Sequence, residues 1–203
     1  MNFNDFIQDP KADLSVATLA MIGDNLCFVI QPQARWGKTE FGQITLPFGG
    51  IGGKVELGED LLSTLSRECQ EEIGCDCQII PNAKAIIPVI DNNNITFTKI
   101  DDTSYPLPEF IFKNLKSEPD RKDYTYVFVY RSNLVRPEHI QPLDNPAIIM
   151  MTQSLFQKVM HTPMTLREAQ SQGAIVRSSI PLPAEGILWP TPTPRGYYRL
   201  LML

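Results

Sequence analysis

Three glutamates, Glu68, Glu71 and Glu72, stand close together in the first half of this 203-residue chain. Residues three and four apart on a helix are surface neighbours, so a helix over this segment places the three carboxylates along one edge. The predicted helix over residues 59–73 contains no lysine, and we expect its carboxylates to be uncompensated and to repel one another. Hard divalent cations remove such repulsion, and all-oxygen ligands suit magnesium or manganese. The spacing therefore predicts a metal site.

A glycine cluster precedes this helix and comprises Gly49, Gly50, Gly52 and Gly53. A P-loop is excluded because Phe48 and Val55 stand where that motif needs a glycine and a Ser or Thr. A dinucleotide-binding fingerprint that starts at Gly50 is excluded because it also needs glycine at position 55. Glycine allows close approach of the backbone to a ligand, so we expect this turn to bring carbonyl groups to the metals and to leave room for a phosphate chain.

The glycines and the acids belong to one longer pattern. It consists of Gly53, five residues, Glu59, seven residues and then the run Arg67-Glu68-Cys69-Gln70-Glu71-Glu72-Ile73-Gly74-Cys75. This pattern resembles the Nudix box, G-x5-E-x7-R-E-U-x-E-E-x-G-U, in which U is a bulky apolar residue, and all seven fixed positions agree. Cysteine at the two U positions is smaller than the usual aliphatic residue, a departure that concerns packing and not chemistry.

Resemblance to Nudix hydrolases implies both an activity and a fold. The implied activity is metal-dependent hydrolysis of the pyrophosphate linkage of a nucleoside diphosphate joined to another group, such as a nucleoside triphosphate, ADP-ribose or a nucleotide sugar. The alternative is a non-catalytic Nudix-like domain that senses a nucleotide. The implied fold is of the α/β (mixed α+β) class, with a mixed β-sheet sandwiched between α-helices.

The resemblance also assigns roles within the box. The implied ligands of Mg²⁺ (or Mn²⁺) are Glu68, Glu71, Glu72 and the carbonyl group of Gly52. The general base differs among family members, and either Glu68 or Glu71 fits that role here. The remaining box positions are structural, namely Gly53, Glu59, Arg67 and Gly74. Pairing of Glu59 with Arg67 is expected to brace the loop against the helix.

A distal metal ligand or base is a further expectation, because in this family another acid often reaches the metals from a later loop. Glu138, shortly after a predicted strand, is our choice for this residue. Glu118 and Asp120 are the alternatives.

The candidate substrate-binding residues are Arg35, Trp36 and Lys38, which lie in a polar loop before the box. The two cations would meet phosphates and the indole would stack on a base. The competing interpretation is that the cations are exposed solubilising charges.

Charge and hydropathy argue against two other classes of protein, those that bind duplex nucleic acid and those that span a membrane. The segment from Gly53 to Asp76 carries seven acidic and two basic residues, so it alone accounts for the formal net charge of −5. A broad basic face for duplex nucleic acid is not expected. The longest apolar runs are five residues, whereas a membrane span needs about 20. We expect a cytoplasmic protein whose partner is a small nucleotide, with a homodimer left open.

The four cysteines do not predict a disulfide framework, because the chain is long and shows no signal-peptide pattern. Neither histidine stands at a zinc-ligand spacing from them. Cys75 and Cys77 alternate with polar residues, which predicts a strand that buries small sulfur side chains on one face.

The elements that must position these residues follow from hydrophobic periodicity and turn signals. Predicted strands cover residues 14–22, 26–30, 44–46, 75–80, 83–90, 95–100, 109–112, 124–130 and 147–151, and predicted helices cover 59–73, 153–160 and 166–172. The run Gly23-Asp24-Asn25 signals a hairpin between the first two strands, and Thr165 with Glu168 three residues on signals the capped start of the last helix. Pro47 is expected to stop the strand that begins at Ile44. Residues 1–180 are expected to form a Nudix hydrolase domain, and residues 181–203 a proline-rich, extended C-terminal segment docked on it.

Overall fold

The computed structural model describes residues 3–91, 94–100, 106–115 and 122–203. The helices in these ranges are α1 (Phe3–Ile7), α2 (Leu61–Ile73), α3 (Gln153–His161), α4 (Leu166–Ser171) and α5 (Pro192–Leu201). The strands are β1 (Ala12–Ile22), β2 (Asn25–Ile30), β3 (Gly37–Lys38), β4 (Ile44–Gly49), β5 (Cys77–Ile79), β6 (Ile86–Asp91), β7 (Asn94–Lys99), β8 (Phe110–Leu115), β9 (Tyr124–Leu134), β10 (Ala147–Thr152), β11 (Ile175–Ser178) and β12 (Ile187–Pro190). Two 3₁₀ turns cover Gln33–Arg35 and Pro137–His139.

The strands form one mixed sheet with the order β11-β10-β2-β1-β9-β8-β6-β7. At its centre β1 runs parallel to β9, with Val16 opposite Phe128, and antiparallel to β2 across the predicted turn at Gly23. Strand β4 pairs with the end of β2 and carries β3 and β12, while β5 pairs with β9. The predicted mixed sheet is therefore confirmed.

Helices cover both faces of this sheet, which confirms the sandwich. On one face α1 and α2 pack against residues such as Val16 and Phe128. On the other face α3, α4 and α5 pack against residues such as Leu19 and Val129. Phe128 and Val129 are consecutive and face opposite sides, as the period-two alternation of a strand requires. Val16 and Phe128 on one face, and Leu19 and Val129 on the other, are fully buried.

Several predicted boundaries differ from the structure, and for two of them the reason is identifiable. Strand β4 does not stop at Pro47 but continues to Gly49, because proline lacks only the donor and its carbonyl still accepts from Gln31 N at 2.8 Å. Helix α2 begins at Leu61, two residues later than predicted, because Asp60 is its N-cap and accepts from the backbone N–H groups of Leu62 and Ser63.

The sequence predicts an extended C-terminal segment, but the structure shows that it is only partly extended. Strand β12 pairs in parallel with β4, with Leu188 opposite Leu46, and α5 follows it. Pro192 and Pro194 fall in the first turn of α5, where backbone N–H groups have no partner within the helix and their absence costs nothing. The domain division at residue 180 stays a prediction. Across the described residues, every helix is too short or too polar to cross a membrane.

Candidate active site

The glycine segment after β4 lies along β1 and is held there by backbone hydrogen bonds. Thr18 N donates to Ile51 O at 2.8 Å and Val16 N donates to Gly53 O at 2.9 Å. Gly52 has a φ of 149°, and a Cβ at this position would lie 2.1 Å from the carbonyl oxygen of Val16. Only glycine fits so close to a neighbouring strand. The segment that carries Gly52 and Gly53 is therefore fixed by β1.

Helix α2 presents its apolar side to the core and its acidic edge to this glycine segment. Leu61, Leu65, Cys69 and Ile73 are buried along one side of the helix. Gly74 ends α2 in the left-handed conformation, with a φ of 64°, as the sequence predicts. The local sequence thus sets the length of α2 and the face that it buries.

Glu72 is the most deeply buried of the three glutamates. Its carboxylate accepts from Gly52 N at 3.0 Å and from Asn145 Nδ2 at 2.8 Å. Burial raises the pKa of Glu72 to about 7, and the two hydrogen bonds only partly oppose this effect. The negative charge of nearby Asp144 also raises the pKa of Glu72. Glu72 therefore links α2 to the glycine segment and to the residues just before β10.

Glu68 lies directly against Gly53. A Cβ at Gly53 would stand 2.1 Å from Oε1 of Glu68, so the carboxylate occupies the space that any other residue would need. The Glu68 side chain is 13% exposed, and burial raises the pKa of its carboxyl group above the ordinary value. Two of the three carboxylates are thus partly removed from water.

Arg67 compensates the acidic edge, which contradicts the expectation that the carboxylates are uncompensated. Its Nη1 donates to Glu68 Oε1 and to Glu71 Oε2, both at 2.8 Å. Its Nε and Nη2 bind the two carboxylate oxygens of Glu59 at 2.9 and 3.1 Å. The guanidinium holds the pKa of Glu59 at about 2, well below its usual range. The absence of lysine was therefore a poor guide, since one arginine meets three acids.

Replacing Arg67 should destabilise the metal-free protein. Arg67→Gln removes the bidentate pair with Glu59 and leaves the partly buried Glu68 without its cation, so we expect a loss of about 1–3 kcal/mol. The measurement is urea unfolding in EDTA. Arg167→Gln is the matched control, because Arg167 forms an ion pair with Glu185 at 2.9 Å in which both side chains are largely exposed. The control should cost less than about 0.5 kcal/mol. Equal losses in the two variants would contradict the bracing role of Arg67.

The raised pKa of Glu72 predicts that the stability of the metal-free protein depends on pH. The folded protein keeps the Glu72 proton up to about pH 7, whereas an unfolded glutamate releases it near 4.5. This contribution to stability is fully present below pH 4.5 and is lost as the pH rises to 7, by an amount on the order of 3 kcal/mol.

Glu72→Gln should remove this part of the pH dependence while keeping the size of the side chain. Its amide can still bind Asn145, whose own amide can turn to accept. The measurement is the unfolding free energy of both proteins in EDTA between pH 4.5 and 8. Parallel curves for wild type and variant would contradict a buried, protonated Glu72.

The structure does not bring the predicted distal ligand Glu138 into contact with the three glutamates. Glu138 lies in the second 3₁₀ turn, is 64% exposed and pairs with His139 at 3.6 Å. The alternatives Glu118 and Asp120 lie outside the described residues. Asp144, which the sequence analysis missed, is an acid whose charge, like that of Glu68, raises the pKa of Glu72.

The predicted substrate-binding residues lie between the end of β2 and the end of β3. Trp36 donates through Nε1 to Gln31 O at 2.8 Å and packs on the core, and Arg35 is exposed. Lys38 lines an open groove of about 750 Å³ with the exposed Phe41 and with Trp189. This groove lies at the Ile44 end of β4, roughly 17 Å along the strand from its Gly49 end. The substrate roles of Arg35, Trp36 and Lys38 stay predictions.

Two other residues at the site were missed by the sequence analysis. Asn145 is 4% exposed and binds Glu72, although the run Asp144-Asn145-Pro146 signals only a turn. Thr191, just before α5, lies so close to Gly49 that a Cβ there would stand 2.6 Å from its Oγ1. Both contacts join segments that are far apart in the sequence, and no local pattern reports them.

No protein-family model and no curated protein matches the chain. Its fold is similar to that of a Nudix-family hydrolase from Clostridium perfringens, with 13% identity and a TM-score of 0.47 over 71% of this chain and 84% of that chain. It is also similar to the E. coli ORF135 protein, with 12% identity and a TM-score of 0.46 over 74% and 78% of the two chains.

A third similar structure is a MutT Nudix hydrolase from Burkholderia pseudomallei, with 9% identity and a TM-score of 0.43 over 93% of this chain and 96% of that chain. Sequence identities this low do not carry an activity from one protein to another.

Proposed function

We propose that this chain is a metal-dependent hydrolase of the Nudix type, which cleaves the pyrophosphate linkage of a nucleoside diphosphate joined to another group. The observation that carries the proposal is the close contact of the Glu68 carboxylate with Gly53. In addition, the Glu72 carboxylate accepts a hydrogen bond from the N–H group of the adjacent Gly52. The two contacts bring the acidic edge of α2 onto a glycine backbone. Such a surface suits a ligand that combines divalent metal with phosphate.

The donor set fits a hard divalent cation in its chemistry. Glu68, Glu71 and Glu72 offer only oxygen atoms, and burial disfavours the charged forms of two of them, so a cation would relieve that cost. Across the described residues, no group of three or more His, Cys, Asp or Glu side chains forms a ready-made metal site. Arg67 binds Glu68 and Glu71, and a cation would therefore compete with its guanidinium.

The residues of this site would have different roles in the proposed hydrolysis. Glu68, Glu71 and Glu72 would hold Mg²⁺ or Mn²⁺, and the Gly52 carbonyl is a further candidate ligand. When bound, the metal would neutralise phosphate oxygens and lower the pKa of an attacking water. Glu68 or Glu71 would accept the proton from that water. Arg67 and Glu59 keep the loop and helix in place through their bidentate pair.

A substrate screen tests the proposal directly. The protein is incubated with magnesium or manganese and with nucleoside triphosphates, ADP-ribose, other nucleotide sugars or dinucleoside polyphosphates, and the products are identified. We expect cleavage within the pyrophosphate of at least one compound, and no cleavage in EDTA. Saturable nucleotide binding without turnover would instead support the nucleotide-sensing alternative.

A further inference from the structure

Two exposed aromatic rings line the open groove beside β4. Phe41 lies in the turn between β3 and β4 and is 82% exposed. Trp189 belongs to β12 and is 47% exposed. The groove that both rings line has a volume of about 750 Å³. This volume falls within the usual range for a small-molecule site, and an exposed apolar lining is typical of such sites.

The groove opens on the side of the sheet that α2 covers. Successive residues of a strand face opposite sides. Leu46 and its register partner Leu188 are buried in the core beneath α3, α4 and α5, so the next residue, Trp189, faces away from that core. By the same alternation Gly49 shares the side of Trp189. Val29, the register partner of Gly49, belongs to the core beneath α2.

One end of the groove is close to the glycine segment. Trp189 lies opposite Pro47, which is two residues before Gly49, or roughly 7 Å along an extended strand. Gly52, whose N–H group donates to Glu72, follows three residues after Gly49. The groove therefore ends a few residues from the acidic edge of α2.

The indole of Trp189 is held by a cation. The guanidinium carbon of Arg195 lies 5.4 Å from the centre of the indole ring, within the range of a cation–π contact. Arg195 belongs to α5 and does not line the groove, so it fixes the ring without filling the space beside it.

The charges of the groove do not suit a phosphate chain. Its charged lining residues are one cation and one anion, Lys38 and Glu40. The other polar lining residues are uncharged, namely Thr39, Gln43 and Thr45. A neutral planar ring with polar edges would meet aromatic faces and hydrogen-bonding groups here. The lining therefore favours a nucleobase over a phosphate.

We propose that this groove binds the nucleobase of the substrate and that the base stacks on the Trp189 indole. The inference rests on the proposed function and adds to it the place where the nucleoside half of the substrate is recognised. The ribose and phosphates would run from Trp189 along β4 to the acidic edge of α2. Stacking tolerates every base, because every base has an aromatic face. The groove would thus require a base without selecting a particular one.

The test compares the binding of AMP and of ribose 5-phosphate, which lacks the base, by titration calorimetry in EDTA. The wild type should bind AMP at least about fivefold more tightly, the lower end of the contribution of one stacked base. Trp189→Ala should abolish this difference, and Trp189→Phe should keep most of it. Phe97→Ala is the matched control, because Phe97 is a 61% exposed ring in β7 that does not line the groove. It should keep the wild-type ratio of affinities.

Phe41→Ala decides the matter if Trp189→Ala fails to fold, since Phe41 is an exposed turn residue. It should weaken AMP binding and leave ribose 5-phosphate binding unchanged. Equal binding of the two ligands by the wild type, or an unchanged ratio in Phe41→Ala and Trp189→Ala, would overturn the proposal. The titrations need no turnover. Base binding without cleavage of any compound would support the groove assignment and refute the hydrolase, whereas cleavage with an unchanged ratio would do the opposite.

Discussion

Each of Glu68→Gln, Glu71→Gln and Glu72→Gln is expected to lower turnover of the best substrate at least about a hundredfold. Glutamine keeps the size of the side chain and removes the negative charge that would hold the catalytic metal. The measurement is kcat at saturating magnesium. Glu56→Gln is the matched control, because Glu56 is an exposed acid of the same box and is expected to keep wild-type turnover.

The loss of turnover must be separated from a loss of fold. Thermal melts with EDTA and across a manganese series report folding and metal binding without any substrate, since a ligand of the native state raises stability as RT ln(1 + [L]/Kd). The three variants should melt as folded proteins in EDTA and respond less than the control to manganese. Near-wild-type turnover in all three variants would show that the metal site is assigned to the wrong residues.

Replacement of Gly52 and of Gly53 by alanine is expected to have different effects. In Gly53→Ala the three atoms nearest to the new Cβ belong to the Glu68 carboxylate, which is the end of a flexible side chain and can move away. We therefore expect turnover to fall by at least about a hundredfold, as in Glu68→Gln, with a stability loss of only about 1 kcal/mol. The measurements are kcat and urea unfolding of the same preparation.

Gly52→Ala should instead unfold the protein or destabilise it by about 4 kcal/mol or more. Its Cβ would meet backbone atoms of Val16 and Ala17 at 2.1 and 2.7 Å, and neither can move without breaking the pairing of β1. Gly58→Ala is the control for backbone strain alone, since Gly58 has a φ of 89° and open space around it. It should cost about 1–2 kcal/mol. If Gly52→Ala cost no more than this, the close packing on β1 would be wrong.

The parts of the fold that the sequence predicts well are those set by local chemistry. Gly74 ends α2 as predicted, and the apolar spacing of the helix selects the buried side. A short polar turn at Gly23 joins β1 to β2 in the predicted hairpin. Likewise, Thr165 and Glu168 form a capping box at the start of α4. In each case the deciding residues lie within a few positions of one another.

The parts that were wrong or missed depend on distant partners. Asn145 reaches Glu72 across 73 positions of sequence, and a pattern read along the chain contains no trace of that contact. The prolines near the C-terminal segment predict an extended chain, yet Pro192 and Pro194 sit in the one turn of a helix that tolerates them. The sequence predicts that Arg67 pairs with Glu59. Its hydrogen bonds to Glu68 and Glu71 are evident only from the fold.

The parallel pairing of β12 with β4 has a consequence for the folding reaction. Gly49 at the end of β4 and Ile187 at the start of β12 are 138 positions apart, so the contact of the two strands closes a very large loop and is expected to form late. Until it forms, one side of Ile44–Gly49 is an unpaired strand edge next to the apolar Leu46 and Phe48. Such an edge can pair with a second chain. We therefore expect this protein to aggregate most readily when it refolds at high protein concentration.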